Sequence, residues 1–398
     1  MVLRSGAQEL LPGNYDTIVH GPQIKISGNG FYHSNALHNE LITAFYRGEQ
    51  LTTELIANSA YLGPIAGRFG SDFVTTLEFQ NGKALPFKTK TIGWMMAFGT
   101  AGSAGTIYSK DAYDLIFDGN EGFLGKQASL GNSAFYLIDY HKLGFGLVNQ
   151  TNKNFIRLNL VLVNNFLAGR MDRCLLDFSA DGSTIAIDTD VTFQQANVAP
   201  QFKGIGASLD FQLTAPIIDM PGISGFFQIT ARNIGLVHLT NMDEFRLRSQ
   251  GVFDGWTISE LADISNYNEG DVAYLKDSLG FTQSSSNVLK VIPNGFIQAG
   301  KIVETNTEKR FQSFFGIRMR TNEIYRPLFY LGGDMKLTNQ LSSGIQLSCF
   351  GYGGLRGGWY INGSFNKISL GIGTEDLIGL ISKNLFGKSA LIQLNWKL

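Results

Sequence analysis

Apolar and polar side chains alternate at every second position through most of this 398-residue chain. A strand is the regular element that sends successive side chains to opposite faces, so this period confines the fold to sheet. The clearest run is Gly204-Ile205-Gly206-Ala207-Ser208-Leu209-Asp210-Phe211-Gln212-Leu213. Ile205, Ala207, Leu209, Phe211 and Leu213 share one face, and Gly204, Gly206, Ser208, Asp210 and Gln212 the other. Ile185, Ile187, Val191 and Phe193 oppose Asp188, Asp190 and Thr192 in the same way, as Phe315, Ile317 and Met319 oppose Gly316, Arg318 and Arg320. Further runs lie at Phe73 to Phe79, Ile223 to Arg232, Ile345 to Tyr352 and Trp359 to Phe365.

A soluble antiparallel sheet alternates too, so composition has to decide what the two faces meet. Charged residues are 16% of the chain, below the ~25% of ordinary globular proteins, while 47 Gly and 30 Phe are an excess. Polar faces of Gly, Ser, Asn, Gln and charges suit a wet lumen, and the aromatic-rich faces suit a lipid-facing wall with interfacial girdles. The strands also outnumber the roughly 7 to 9 of a sandwich. No run of about 18 apolar residues occurs, and the most apolar piece, Ile92 to Phe98, is strand-sized. The balance of 32 basic and 33 acidic residues carries no basic footprint for nucleic acid. The reading is an all-β chain: a transmembrane antiparallel β-barrel of about 14 strands, within a range of about 12 to 16.

Three stretches break the period. Asn39 to Ser59 carries Leu41, Ile42, Phe45, Leu51, Leu55 and Ile56 at helical spacing and predicts two short helices hinged near Gly48. Ser109 to Phe117 predicts a short helix with Ser109 as N-cap and a stop at Gly119-Asn120. Asp254 to Lys290 mixes helical patches with Ser, Asn and Gly and predicts a long loop or cap. The expected organisation is a residual export signal over residues 1–7 and a single barrel over 8–398, with plug-or-lid insertions at 39–59, 109–126 and 254–290. The signal rests on Ser5-Gly6-Ala7 before Gln8, against the plainer reading of a disordered N-terminus. Cys174 and Cys349, far apart and without metal spacing, are expected to be two unpaired small hydrophobes, with one structural disulfide as the alternative. Ser389 to Leu398 alternates to the last residue, with Trp396 on its apolar face, and is similar to the C-terminal assembly signal of outer-membrane barrels, with Leu398 where that signal usually has Phe.

Several segments resemble one family, the uncharacterised outer-membrane β-barrels of Bacteroidota, similar in general style to FadL-like barrels and to PorP/SprF-type secretion accessories. Tyr113 to Asn120 followed by Phe123-Leu124-Gly125-Lys126 resembles its short helix, Gly-Asn turn and aromatic-Leu-Gly step. Gly204 to Leu213 and Ile229 to Gly235 resemble its central hairpin, and the Asn39 to Ser59 insertion fits as well. The Asn-Pro-Ala step of FadL-type transporters is absent; Ser34-Asn35-Ala36 is the nearest piece. The family assigns no catalytic or binding residue, so the resemblance carries none over.

The search for chemistry yields no enzyme. His33 and His38 beside Glu40 lack a Cys partner or a His-x-x-x-His spacing, and no Gly-x-Ser-x-Gly elbow occurs. Gly351 to Gly358 lacks the Lys-Ser/Thr step of a phosphate loop and predicts a β-turn. No catalytic residue, metal ligand or cofactor is expected. The candidate residues are the charges on the non-lipid faces, Arg157, Asp188, Asp190, Asp210, Arg232, Arg318 and Arg320, which either pair across the lumen or line a polar path. The partners expected are outer-membrane lipid, the barrel-assembly machinery acting on Ser389 to Leu398, and a small hydrophobic ligand or an envelope protein. The functional expectation is passage of small or hydrophobic molecules across a bacterial outer membrane. The alternatives are a docking barrel of a secretion machine and a soluble all-β binding domain.

Overall fold

The computed structural model describes residues 22–58, 66–81, 91–149, 154–196, 202–217, 225–253, 281–304 and 309–398. The expected export signal, and residues 254–280 of the third insertion, lie outside the described residues.

Seventeen antiparallel segments form one sheet. They are β1 (Pro22–Ser34), β2 (Gly67–Asn81), β3 (Ile92–Tyr108), β4 (Gln127–Ser129), β5 (Ser133–Asn149), β6 (Phe155–Phe178), β7 (Ile185–Ala196), β8 (Gly204–Pro216), β9 (Phe226–Phe253), β10 (Phe281–Val291), β11 (Phe296–Ile302), β12 (Phe311–Arg320), β13 (Leu328–Lys336), β14 (Leu341–Cys349), β15 (Arg356–Phe365), β16 (Ile368–Thr374) and β17 (Gly387–Lys397). β7 and β8 pair with successive stretches of β6 and β9, so they are one stave. β10 and β11 form another along β9, and β4 prolongs β5 along β6. β1 pairs with both β2 and β17, which closes a ring of 14 staves. A closed ring leaves no unpaired edge, the condition a sheet must meet to sit in lipid. Following the register once round the ring returns to β1 about 16 residues further along, a shear that with this number of staves tilts them by about 40°.

The alternation read from the sequence is the alternation of the wall. Leu158, Phe145, Leu331 and Ile345 point outward and are exposed, and the residues between them are buried inside. Phe79, Trp94 and Phe145 stack in a row near the end of the barrel where β1 begins, with ring centroids 5.2 and 6.5 Å apart, an interfacial girdle. The staves differ in height. Those from β12 to β17 have 7 to 11 residues, close to what a tilted strand needs to cross a bilayer, whereas β6 has 24 and β9 has 28. At this tilt the tall staves stand roughly 40 Å clear of an apolar band about 25 Å high.

The helices lie at the end opposite β1's start, here the loop end. α1 (Asn39–Arg47) stops at Gly48, whose φ of 65° only glycine adopts freely, and α2 (Thr53–Asn58) follows. α3 (Lys110–Phe117) is capped by Ser109, whose side chain accepts from the Ala112 N–H. Leu41, Ala36 and Tyr113 pack with Leu51, Leu55 and Phe117, so the helices bury part of their apolar surface against one another, while Phe45, Tyr46 and Ile116 stay exposed. The third insertion is shorter than the sequence suggests, because 281–291 is strand β10. Ser284, Ser285 and Ser286 hid it: polar residues on both faces erase the period-two signal. Cys174 and Cys349 are free.

Candidate functional site: the barrel interior

The inner ends of the alternation converge on the lumen, where long polar side chains meet. Arg157 on β6 reaches sideways to two carboxylates: its Nη1 lies 2.6 Å from Glu78 Oε2 on β2, and its Nη2 lies 2.6 Å from Asp210 Oδ2 on β8. Lys142 of β5 approaches the same Asp210 oxygen at 3.6 Å and donates to Asn233 Oδ1 at 2.8 Å. The other Asp210 oxygen accepts the Asn233 N–H at 2.6 Å. Gln80 donates to Glu78 and Gln23 donates to Gln80, carrying the network down to β1. All of these groups are buried, so each charge depends on its partner, and removing one strands the rest. Gly144 makes the layer feasible: a Cβ there would sit 2.2 Å from Asn159 Oδ1 and 2.8 Å from Arg157 Cδ.

Arg232 and Arg318 meet neutral oxygens and aromatic rings. Arg232 donates to Phe211 O and Gln212 Oε1 and lies 4.6 Å over the Phe155 ring. Arg318 donates twice to Gln298 Oε1, at 2.9 and 2.7 Å, and lies 4.5 Å over Phe296. Arg320 pairs with Asp72 at 2.5 Å while Phe31, Tyr325 and Tyr352 crowd its guanidinium at 5.0 to 5.6 Å.

Above Arg320 the lumen turns aromatic. Tyr136 and Tyr352 share a hydrogen bond of 2.7 Å, and Asn322 on the β12–β13 turn donates to both hydroxyls and to Pro293 O. Gly70 admits this knot, because a Cβ there would lie 2.3 Å from the Tyr352 ring. The turn presses Ile324 and Tyr325 into the cluster of Phe31, Phe314, Tyr330 and Tyr360. The glycine-rich stretch after β14 is a tight turn, with Phe350 and Gly351 at φ of 70° and 73°. Tyr136, Asn322 and Ile324 are at once the roof of the ionic column and the floor of a pocket of about 460 Å³. Phe166, Ala168 and Pro293 make its walls apolar, and Arg170, Gln194 and Lys290 line its polar side. Arg170 also pairs with Glu323 at 2.9 Å, tying the tall wall to the turn.

Of the seven charges singled out in the sequence, Arg157, Asp210, Arg232, Arg318 and Arg320 are placed within this interior column. Asp188 and Asp190 stand higher, on the part of β7 beyond the apolar band. Asp188 pairs with Arg173 at 3.0 Å, and Asp190 with Arg246 and Arg248 at 3.0 and 2.9 Å. Glu78 and Asp72 were not singled out in the sequence, although both lie on the polar face that the Phe73 to Phe79 alternation extends. Lys142 carried no such signal: β5 alternates without a break there, but its outward Asp139 and His141 are polar and its inward Ile138 and Tyr140 are not, so the run Ile138-Asp139-Tyr140-His141-Lys142 has no polar and apolar face. The tyrosine knot carried no signal, because its members come from β5, the β12–β13 turn and the turn after β14. His33 is buried and stacked on Phe31, His38 packs edge-on to Phe386, and no group of three metal-ligating side chains occurs among the described residues.

No family model matches the chain, and no curated protein matches it. Among solved structures it is similar to the translocator domain of the autotransporter NalP from Neisseria meningitidis, at 9% identity and a TM-score of 0.31 over 96% of this chain and 90% of that one. It is similar to the Pseudomonas putida toluene transporter TodX at 11% identity and a TM-score of 0.34, covering 94% and 88% of the two chains. It is also similar to a Pseudomonas aeruginosa FadL homologue at 11% and 0.36, covering 95% and 90%. The barrel architecture rests on the chain's own hydrogen-bonded ring.

Proposed function

We propose that this chain is a bacterial outer-membrane barrel that passes small, largely apolar molecules, which it receives in the pocket at its loop end. One observation carries the reading: the pocket's floor, Tyr136, Asn322 and Ile324, is made by one wall side chain and the β12–β13 turn. A pocket of this size suits a small ligand, and its mixture of apolar walls with a few polar groups is what such sites use. The floor is held by hydrogen bonds to tyrosine hydroxyls, each worth about 1 kcal/mol net, so moving the β12–β13 turn would open it at modest cost. Planar-bilayer conductance and uptake of a small aromatic hydrocarbon into liposomes test this. Asn322→Ala combined with Tyr352→Phe is expected to raise both, and a barrel silent in the wild type and in this variant would sink the reading.

A second reading has one observation of its own. The tall staves rise far beyond any bilayer and carry exposed ion pairs at Asp188 and Asp190, which suits a surface that docks an envelope partner. A conductance-silent barrel whose tall wall retains such a partner in pull-downs would favour it.

A further inference from the structure

The wall has a notch where β16 stands. Its seven residues, at about 3.4 Å each and a tilt of about 40°, rise only about 18 Å, short of the ~25 Å apolar band of an outer-membrane barrel. Its neighbours β15 and β17, with 10 and 11 residues, reach or exceed that height. Directly after β16 the chain forms α4 (Leu377–Ile381), a single turn of Leu-Ile-Gly-Leu-Ile packed against β15 and β17. Its five residues span about 7 Å along the helix axis, the size of the gap, and its Gly379 lies against the Gly387 carbonyl at the loop end of β17.

We propose that α4 completes the lipid-facing wall above β16 and inserts its side chains into the bilayer leaflet at the loop end. Leu377, Ile378, Leu380 and Ile381 are all exposed, the last at 83%, and only Gly379 is buried. An element this apolar has no reason to face water, and it is continuous with the outward Leu370 and Ile372 of β16 below it and Ile392 of β17 beside it. The neighbouring β14–β15 turn behaves alike, with Phe350 and Leu355 exposed, whereas the turn at the top of the tall wall reads Ser179-Ala180-Asp181-Gly182-Ser183-Thr184. The helix is rigidly held. Asp376 caps it by accepting the Gly379 N–H at 2.8 Å, and buried Asn39 donates to the carbonyls of Gly379, Ser382 and Gly387 at 2.9 to 3.1 Å. After Ser382 comes Lys383, its side chain mostly exposed beside Glu40 at 3.9 Å, at the level where lipid phosphates would lie.

Nitroxide accessibility in liposomes tests the proposal. In a Cys174→Ala/Cys349→Ala background, spin labels go at Ile381→Cys and, as a second position, Ile378→Cys. Ile392→Cys serves as the reference in the band and Asp181→Cys as the reference in water. Folding of each variant is checked by heat-modifiable migration on gels. The expected result is oxygen accessibility several-fold above that of a water-soluble nickel chelate at both α4 positions, as at Ile392. Accessibility like that of Asp181 would overturn it. Water access at Ile392 as well would overturn it together with the membrane reading, whereas loss of transport alone would leave it standing.

Discussion

The tall and short walls of the barrel solve the same electrostatic problem in opposite ways. Where β6, β7 and β9 rise past the apolar band, Asp188 and Asp190 meet their arginines in the open, with Arg173, Arg246 and Arg248 at least four-tenths exposed. Within the band, Arg157, Asp210, Glu78 and Lys142 are sealed from water and locked into a shared network. The same residue types, on the same alternating inner faces, are nearly dispensable in one region and obligatory in the other. Burial sets the difference, because water solvates an exposed charge that loses its partner and leaves a buried one uncompensated.

Mutation should separate the regions sharply. Arg157→Ala leaves Glu78 and Asp210 without their main partner and is expected to destabilise the barrel by about 3–5 kcal/mol, seen as a large drop in the temperature at which the folded band disappears from gels. Tyr352→Phe removes one hydroxyl from the knot with Tyr136 and Asn322 and should cost about 1–2 kcal/mol in the same assay. Arg248→Ala on the tall wall should cost less than about 1 kcal/mol, and that small loss should shrink further in high salt. An Arg248→Ala effect as large as that of Arg157→Ala would erase the distinction.

The smallest effect is a pH effect at the tip of the tall wall. Hydrogen bonds from the Ser179 hydroxyl, and then from the Ser183 N–H and hydroxyl, hold the Asp181 carboxyl down at about 2. A depressed carboxyl contributes order to the turn that is complete above its unfolded pKa of about 4 and is lost as pH falls through about 2. Amide exchange at Ser183 and Thr184, corrected for its intrinsic pH dependence, should keep its protection down to about pH 4 and lose it below. Unchanged protection down to pH 1 would contradict this.

Much of the fold was legible because a closed wall imposes one rule on every strand. Ile205, Leu213, Phe315 and Met319 face outward as their period requires, and Asp210 and Arg318 face inward. The signal failed where the rule is locally relaxed. On β5 the outward Asp139 and His141 are polar and the inward Ile138 and Tyr140 are not, which hid Lys142, and the serines of β10 gave neither face an apolar stamp. The candidate site was half legible. Arg157, Asp210, Arg232, Arg318 and Arg320 marked themselves as inward-facing by period, but which charges meet is fixed by shear, a property of the whole ring that no local window contains. The tyrosine knot and α4 depend on turns at the rim, where periodicity says nothing.

The ring itself is the central claim, and the seam between its first and last staves tests it most directly. Gly28 of β1 lies opposite Ile392 of β17, and a Cβ on Gly28 would sit 3.5 Å from the Ile392 side chain. In the Cys174→Ala/Cys349→Ala background, Gly28→Cys with Ile392→Cys is predicted to form a disulfide on mild oxidation in membranes. The linked chain should change its denatured gel mobility on reduction. Two thiols that stay reduced while the protein remains membrane-bound and folded would show that the wall does not close there.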